Sequence, residues 1–311
     1  MALLVVGSVA LDSLQTPFGH REEVLGGSAC YFSAAASFFG PTRVVAVVGE
    51  DFPQAHLDFL ASRGVDLAGV VRKPGRTFRW KGRYEFDLNT AHTLDTQLNV
   101  FADFKPDLPQ AYRDSEYVFL GNIDPDLQRA VLDQVRSPRF VACDTMNFWI
   151  TSKRDSLEQT LRRVDLLFVN DAEARQLSGE HNIVKAAQRI LAMGPRALVI
   201  KRGEYGALYF SGRELFAASA YPVPDVFDPT GAGDSFAGGF MGYLARGGDE
   251  SPLAMRRAVV VGSVLASFAV EQFSLDRLRA LTGDEIRARY AEARQLSHFD
   301  DLEPDVLATG R

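Results

Sequence analysis

Short apolar runs recur along the chain at Leu3–Val6, Val44–Val48, Tyr117–Leu120, Phe140–Cys143, Leu166–Val169 and Leu198–Ile200. Each is too short for a buried helix and shows no polar alternation, which marks a strand covered on both faces. Between them lie segments with helical spacing of apolar positions: Ala29–Phe39, Phe52–Arg63, Leu127–Val135, Leu157–Val164 and Val184–Met193. Gly64 suits the end of the second of these helices, and Ser28 is placed to cap the first. Strands alternating with helices predict a parallel sheet with helices on both faces, joined by right-handed crossovers. The opening stretch Ala2–Leu11 is apolar like a signal peptide, but it lacks a basic start and stops at Asp12, so it reads as the first core strand. No later apolar run reaches the roughly 18 residues of a membrane span, so no membrane partner is expected.

One segment follows a different rhythm. From Arg76 to Asp87 the chain alternates, with Phe78, Trp80, Gly82, Tyr84 and Phe86 on one face and Thr77, Arg79, Lys81, Arg83, Glu85 and Asp87 on the other. Such alternation marks a strand exposed on one side, and Gln97–Phe101 is a candidate partner for it. The expectation is a small antiparallel sheet, built from about 13–24 and 74–105, that projects as a lid from a single domain spanning 1–311. An edge hairpin of the main sheet is the alternative. An isolated hairpin is marginal, so the aromatic face needs cover from a ligand, the core or a twin subunit. A homodimer through the lid is therefore among the expected assemblies.

Composition narrows the class. Hydrophobic residues make up 46% and charged residues 24%, enough for a sizeable core. The net charge is −6 with both signs interspersed, which speaks against a nucleic-acid partner. The two cysteines, Cys30 and Cys143, sit in apolar surroundings and read as buried thiols of a reducing cytoplasm. The acidic tail after Ser297 ends Thr309-Gly310-Arg311 and is expected to be loose.

The densest chemistry lies in Asp228-Pro229-Thr230-Gly231-Ala232-Gly233-Asp234-Ser235-Phe236. Glycines allow main-chain N–H groups to approach an anion, and the helix that follows adds free donors and a positive dipole end. An acid at a phosphate site repels its ligand unless it takes a proton from the attacking hydroxyl. Asp234 is thus the candidate base, with the N–H groups of Ala232, Gly233 and Asp234 as an anion hole. The plainer alternative makes Asp234 a helix-start acid serving the dipole. No G-x-x-x-x-G-K-[ST] loop occurs, and Phe236 stands where a dinucleotide fingerprint needs its third glycine.

Other candidates follow the strand ends. Asn170 and Glu173, after Leu166–Val169, share a helix face and could hold magnesium through water, or form a capping pair. Lys201-Arg202-Gly203-Glu204-Tyr205-Gly206 can turn against a nucleotide, with Arg202 in reach of a phosphate, or make a plain β-turn. Gly262, Ala266 and Ser267 on the apolar helix Ala258–Val270 would admit an adenine ring, though tight helix packing asks for the same residues. Asp12 can accept bonds from two sugar hydroxyls or serve as a turn acid. Gly26 and Gly27 permit close approach there, and Asn122 points to the same edge.

Residues 228–236 resemble the C-terminal signature of the ribokinase-like (PfkB) family of sugar and nucleoside kinases, and Gly26-Gly27 ahead of a helix resembles its N-terminal signature. The order and spacing of the motifs extend the resemblance over nearly the whole chain. It implies a ribokinase-like three-layer α/β sandwich with a mainly parallel central sheet and a small antiparallel β lid. ATP is then the donor and Mg2+ the metal, with Asp234 as base and Gly231, Ala232, Gly233 and Asp234 forming the anion hole. Asn170 and Glu173 resemble the family's N-x-x-E motif. Asn170, Lys201, Arg202, Gly203, Gly206, Gly233, Ser263, Ala266 and Ser267 are the implied ATP-site positions. Asp228 and Thr230 resemble positions that bind a monovalent cation, such as K+, in some members.

The candidate acceptor contacts are Asp12, which resembles the family's acceptor-binding acid, with Gly26, Gly27, Ser28, Tyr31, Trp80 and Asn122. Tyr31 departs from the asparagine that members often carry there, and a phenol cannot reproduce a compact amide contact. The aromatic lid face suits a flat base better than a bare sugar. No convergent basic cluster suggests a phosphorylated acceptor. The expected reaction is transfer of the ATP γ-phosphoryl to the 5′-hydroxyl of a nucleoside of the adenosine, inosine or cytidine type. The rivals are a kinase of ribose or a keto-sugar and, in another class, a catalytically silent nucleotide sensor.

Overall fold

The computed structural model describes residues 1–302 except Asp87 and Arg213. The tail end Thr309-Gly310-Arg311 and the outward position expected for Asp87 therefore lie outside the described residues.

In chain order the elements begin with β1 (Leu3–Val6), β2 (Ala10–Thr16), β3 (Gly19–Gly26), α1 (Ser28–Ala36), β4 (Thr42–Gly49), α2 (Gln54–Ser62) and β5 (Val65–Lys73). The central part holds β6 (Phe78–Tyr84), β7 (Ala91–Gln97), β8 (Tyr117–Leu120), α3 (Pro125–Leu132), β9 (Phe140–Asp144), α4 (Asn147–Ser152) and α5 (Arg154–Leu161). Then follow β10 (Leu166–Asn170), α6 (Asp171–Ser178), α7 (Ile183–Leu191), β11 (Ala197–Lys201), β12 (Ala207–Ser211) and β13 (Glu214–Ala218). The chain closes with α8 (Ala232–Gly247), α9 (Pro252–Ala269), α10 (Asp276–Ala280) and α11 (Gly283–Leu296).

Nine strands form the main sheet in the order β13-β12-β11-β10-β9-β8-β1-β4-β5. Its pairs are parallel except β11–β12 and β12–β13. Successive strand residues enter opposite cores, as strand geometry requires. Leu3, Val5, Phe119 and Phe168 join the layer holding α1, α8 and α9, whereas Leu4, Val6, Leu120 and Val169 join the layer holding α3, α5, α6 and α7. That is why the strands read as unbroken apolar runs. Phe168 of β10 meets Phe119, Phe236 and Phe240 at ring-centroid distances of 6.0, 6.0 and 5.2 Å. These edge contacts pin the start of α8 to the middle of the sheet.

Glycines bring the neighbouring helices close to α8. A Cβ on Gly238 would fall 2.2 Å from the Phe32 carbonyl of α1, and one on Gly262 of α9 would fall 2.8 Å from the Phe236 carbonyl. Helix α9 has the length and apolar content of a membrane span, yet most of it is buried beneath α8 and the sheet.

The second sheet has the order β3-β2-β6-β7. Its hairpins are antiparallel, but β2 and β6 run parallel, with Asp12 opposite Trp80. Several local expectations change. The partner of β6 is β7, and Asn99–Phe101 forms a 3₁₀ turn instead of continuing a strand. Phe86 lies beyond the end of β6 and is 94% exposed, so it does not extend the aromatic face. Ser28 is the first residue of α1, not its cap; Gly27 occupies that position at φ 92°, where a side chain would be strained.

The two sheets meet at a polar joint. Asp51 accepts from the Thr77 N–H and hydroxyl, each at 2.7 Å, and pairs with Arg79 at 2.8 Å. Thr77 Oγ1 in turn accepts from Gly49 N–H at 3.0 Å.

Candidate active site

Parallel sheets keep their ligands at the carboxyl ends of the strands. Asn122, Asp144, Asn170 and Lys201 all stand there, at or just beyond β8, β9, β10 and β11, whereas Asp12, expected just after the first strand, lies within β2 of the second sheet. The start of α8 faces them.

Gly231 caps α8 at φ 74° with no side-chain partner, leaving the helix mouth open. The Ala232 N–H bends back to the Pro229 carbonyl at 3.2 Å, which removes it from the three expected anion-hole donors. Gly233 and Asp234 donate to no carbonyl among the described residues. Asp234 is half-buried. Burial first, then the charge of Asp144, raises its pKa to about 7, with Lys201 and its own N–H opposing.

Two further acids share this space. Burial, then Asp144, raises Glu173 to about 7, against the pull of Lys201 and the Asn170 N–H. Asp144 bonds Lys201 Nζ at 2.9 Å. Burial alone would lower the Lys201 pKa, but Asp144, Glu173 and Asp234 outweigh it and hold the ammonium charged. Asp144 is the main site residue that the sequence reading passed over. Its signal was an acid ending a buried strand at the ligand edge.

Asn170 and Glu173 form a reciprocal capping box, Asn170 Oδ1 accepting from Glu173 N–H and Glu173 Oε2 from Asn170 N–H, both at 2.7 Å. Capping is thus realised, and it leaves Glu173 one carboxylate oxygen for another partner.

On the acceptor side, Asp12 is 4% exposed. Burial, then Asp228, lifts its pKa to about 8, opposed by the Gly27 N–H. A Cβ on Gly26 would fall 1.9 Å from the Asp12 carboxylate, so glycine is needed for this approach. The Tyr31 ring lies against Gly231, where a Cβ would come within 2.2 Å of it. Its hydroxyl is buried without a partner among the described residues. Burial, followed by Asp228 and Asp12, pushes the Tyr31 pKa up. Tyr84 reaches the same place, its hydroxyl accepting from Thr230 Oγ1 at 3.2 Å.

Other expected acceptor residues are engaged elsewhere. Ser28 Oγ accepts from Ser8 N–H at 3.1 Å, and Ser28 N–H donates back to Ser8 Oγ at 3.1 Å, a clasp between α1 and the loop after β1. Asn122 Oδ1 accepts the Trp149 indole N–H at 3.0 Å. Trp80 folds across Gly82 and donates to Thr93 at 3.1 Å, so its indole is held within the small sheet.

The nucleotide candidates divide. Gly206 lies under Ala218 and Ser219, and Ser263 Oγ meets the Ser219 carbonyl at 3.5 Å, with Ala266 one turn further on. Gly206 and Ser263 thus both meet Ser219. Ser267 is instead bonded to the Val264 carbonyl at 2.7 Å and to Arg289 at 3.1 Å. Arg202 stacks over Tyr205 at 5.8 Å. Gly203 lies against Asn89 of the β6–β7 turn, whose Oδ1 would be 2.8 Å from a Cβ there. The side chains expected at a monovalent cation are committed to the loop: Asp228 accepts from Thr230 N–H at 2.9 Å and Ser274 N–H at 2.8 Å.

Residues 5–278 match the model of the pfkB family carbohydrate kinases. A cytidine kinase of Thermococcus kodakarensis is 32% identical over 79% of this chain and 89% of its own. A nucleoside kinase of Methanothermobacter thermautotrophicus is 25% identical over 92% and 94%. Among solved structures, an E. coli chain described as ribokinase II, in complex with ATP and Mg2+, superposes with a TM-score of 0.76 at 19% identity, over 93% of this chain and 99% of that one.

Proposed function

The chain belongs to the pfkB family of carbohydrate kinases, and on that premise we propose that it transfers the γ-phosphoryl of ATP to the 5′-hydroxyl of a nucleoside. It is a phosphotransferase with an alcohol acceptor. The observation that carries the mechanism is the half-buried Asp234 carboxylate beside the free Gly233 N–H at the mouth of α8. The cytidine kinase relative supports the nucleoside reading.

In this reading Asp12, with the close backbone of Gly26 and Gly27, binds ribose hydroxyls. Asp234 accepts the proton of the attacking hydroxyl while its oxygen bonds to phosphorus and the bond to ADP breaks. The loop N–H groups stabilise charge on the equatorial oxygens. The nucleotide lies along Gly203, Gly206, Ser263 and Ala266. The small sheet covers the acceptor and keeps water from taking its place.

Among the described residues no three His, Cys, Asp or Glu side chains converge as a metal cage. The donor set instead fits Mg2+ arriving with the phosphates, with the free oxygen of Glu173 holding it through water. The ion would neutralise phosphate charge.

Initial rates with cytidine, adenosine, inosine and ribose test the acceptor. A nucleoside should exceed ribose in kcat/KM by at least about tenfold, because the base adds binding that ribose lacks. Equal or greater use of free ribose would return the assignment to the sugar kinases.

A further inference from the structure

Lys201 occupies a place that packing alone does not account for. Its Nζ would be 2.8 Å from a Cβ on Gly233, the second residue of α8. A helical Cα–Cβ bond tilts toward the N-terminus, so the ammonium stands at the helix mouth, beside the free Gly233 N–H. A cation there faces the positive end of the dipole, the wrong sign for that position. Its side chain is also largely withdrawn from solvent, 17% exposed, and its partner Asp144 is 7% exposed. A buried pair of this kind is weak evidence for stability, since apolar residues of similar volume often do as well. An incoming anion reconciles these costs.

We propose that Lys201 is the fixed cation of the phosphoryl-transfer site, contacting the oxygens of the migrating phosphoryl while Asp144 holds its ammonium at the mouth of α8. The inference deepens the reading of Asp234 and its loop given above. The γ-phosphorus leaves the β-phosphate bridging oxygen and bonds to the acceptor oxygen, the acceptor proton passes to Asp234, and Lys201 keeps its own proton throughout. Charge-assisted bonds from an ammonium to phosphoryl oxygens are about twice as strong as neutral ones. Gly233 is then required for clearance of the lysine as well as for the approach of the phosphate.

The test compares affinities for ATP and ADP by titration calorimetry on the full chain, in Lys201→Met and in the double variant Lys201→Met/Asp144→Asn. The double variant removes both charges of the pair and leaves no Asp144 carboxylate without its partner, so it carries the test if the single variant fails to fold. The proposal expects ATP to lose about tenfold more affinity than ADP, with kcat lowered about 10²-fold or more, as on removal of an oxyanion donor. Equal losses for the two nucleotides, or a double variant with near-normal turnover, would assign Lys201 to structure alone and overturn it. Asp234→Asn, run in parallel, reports on the base separately, because it should spare the ATP-to-ADP ratio.

Discussion

Protonation of Asp234 should govern turnover near neutrality. With its pKa raised to about 7, the carboxylate is the minority form below that value, so kcat/KM should rise with pH through about 7 and level off above. Asp234→Asn should lose about 10²–10⁴ in kcat and keep nucleotide affinity. Asp12 offers a second measurement. Its folded pKa of about 8 lies above the ordinary carboxyl value, so its contribution to stability is full in acid and is lost as pH rises through about 8. The free protein should melt at a lower temperature at pH 8 than at pH 6, and Asp12→Asn should flatten that dependence. Asp234 was legible in the sequence because its loop, helix and charge lie within nine consecutive residues. Asp144 was not, because its meaning comes from Lys201, 57 residues away. The partners of Ser28 and Asn122 were hidden for the same reason: Ser8 and Trp149, which bond Ser28 Oγ and Asn122 Oδ1, are distant in sequence.

Elements with unbroken apolar runs were read to within a few residues, since burial on both faces leaves one pattern. Tyr117–Leu120 is the clearest case, found with the same bounds. Edge strands without a clean alternation escaped. β5 and β13 sit at the two edges of the main sheet and mix exposed with buried positions. The parallel β2–β6 pairing escaped too, because it joins segments more than sixty residues apart that carry no shared local signal. Helix α8 depends on contacts that composition hides. Gly238→Ala would drive a methyl into the Phe32 carbonyl, which belongs to backbone and cannot rotate aside. Denaturant unfolding should show a loss of about 1–3 kcal/mol, with per-molecule turnover of the folded fraction little changed.

At the scale of the molecule, the free edge of the small sheet sets the next expectation. Every residue of β7 is exposed, and its outer edge pairs with no other strand among the described residues. Such an edge invites a second chain, and the assembly expected through it is a homodimer. Light scattering should give twice the 34.2 kDa chain mass, and a proline in β7 should return the single-chain value. The turn between β6 and β7 has a different consequence. Asn89 rests on Gly203, so the roof over the alcohol and the wall beside the nucleotide share a seam. In the function proposed above this contact joins the cover of the acceptor to the nucleotide side, so binding of one reactant is expected to change the affinity for the other, which titration of each in the presence of the other checks.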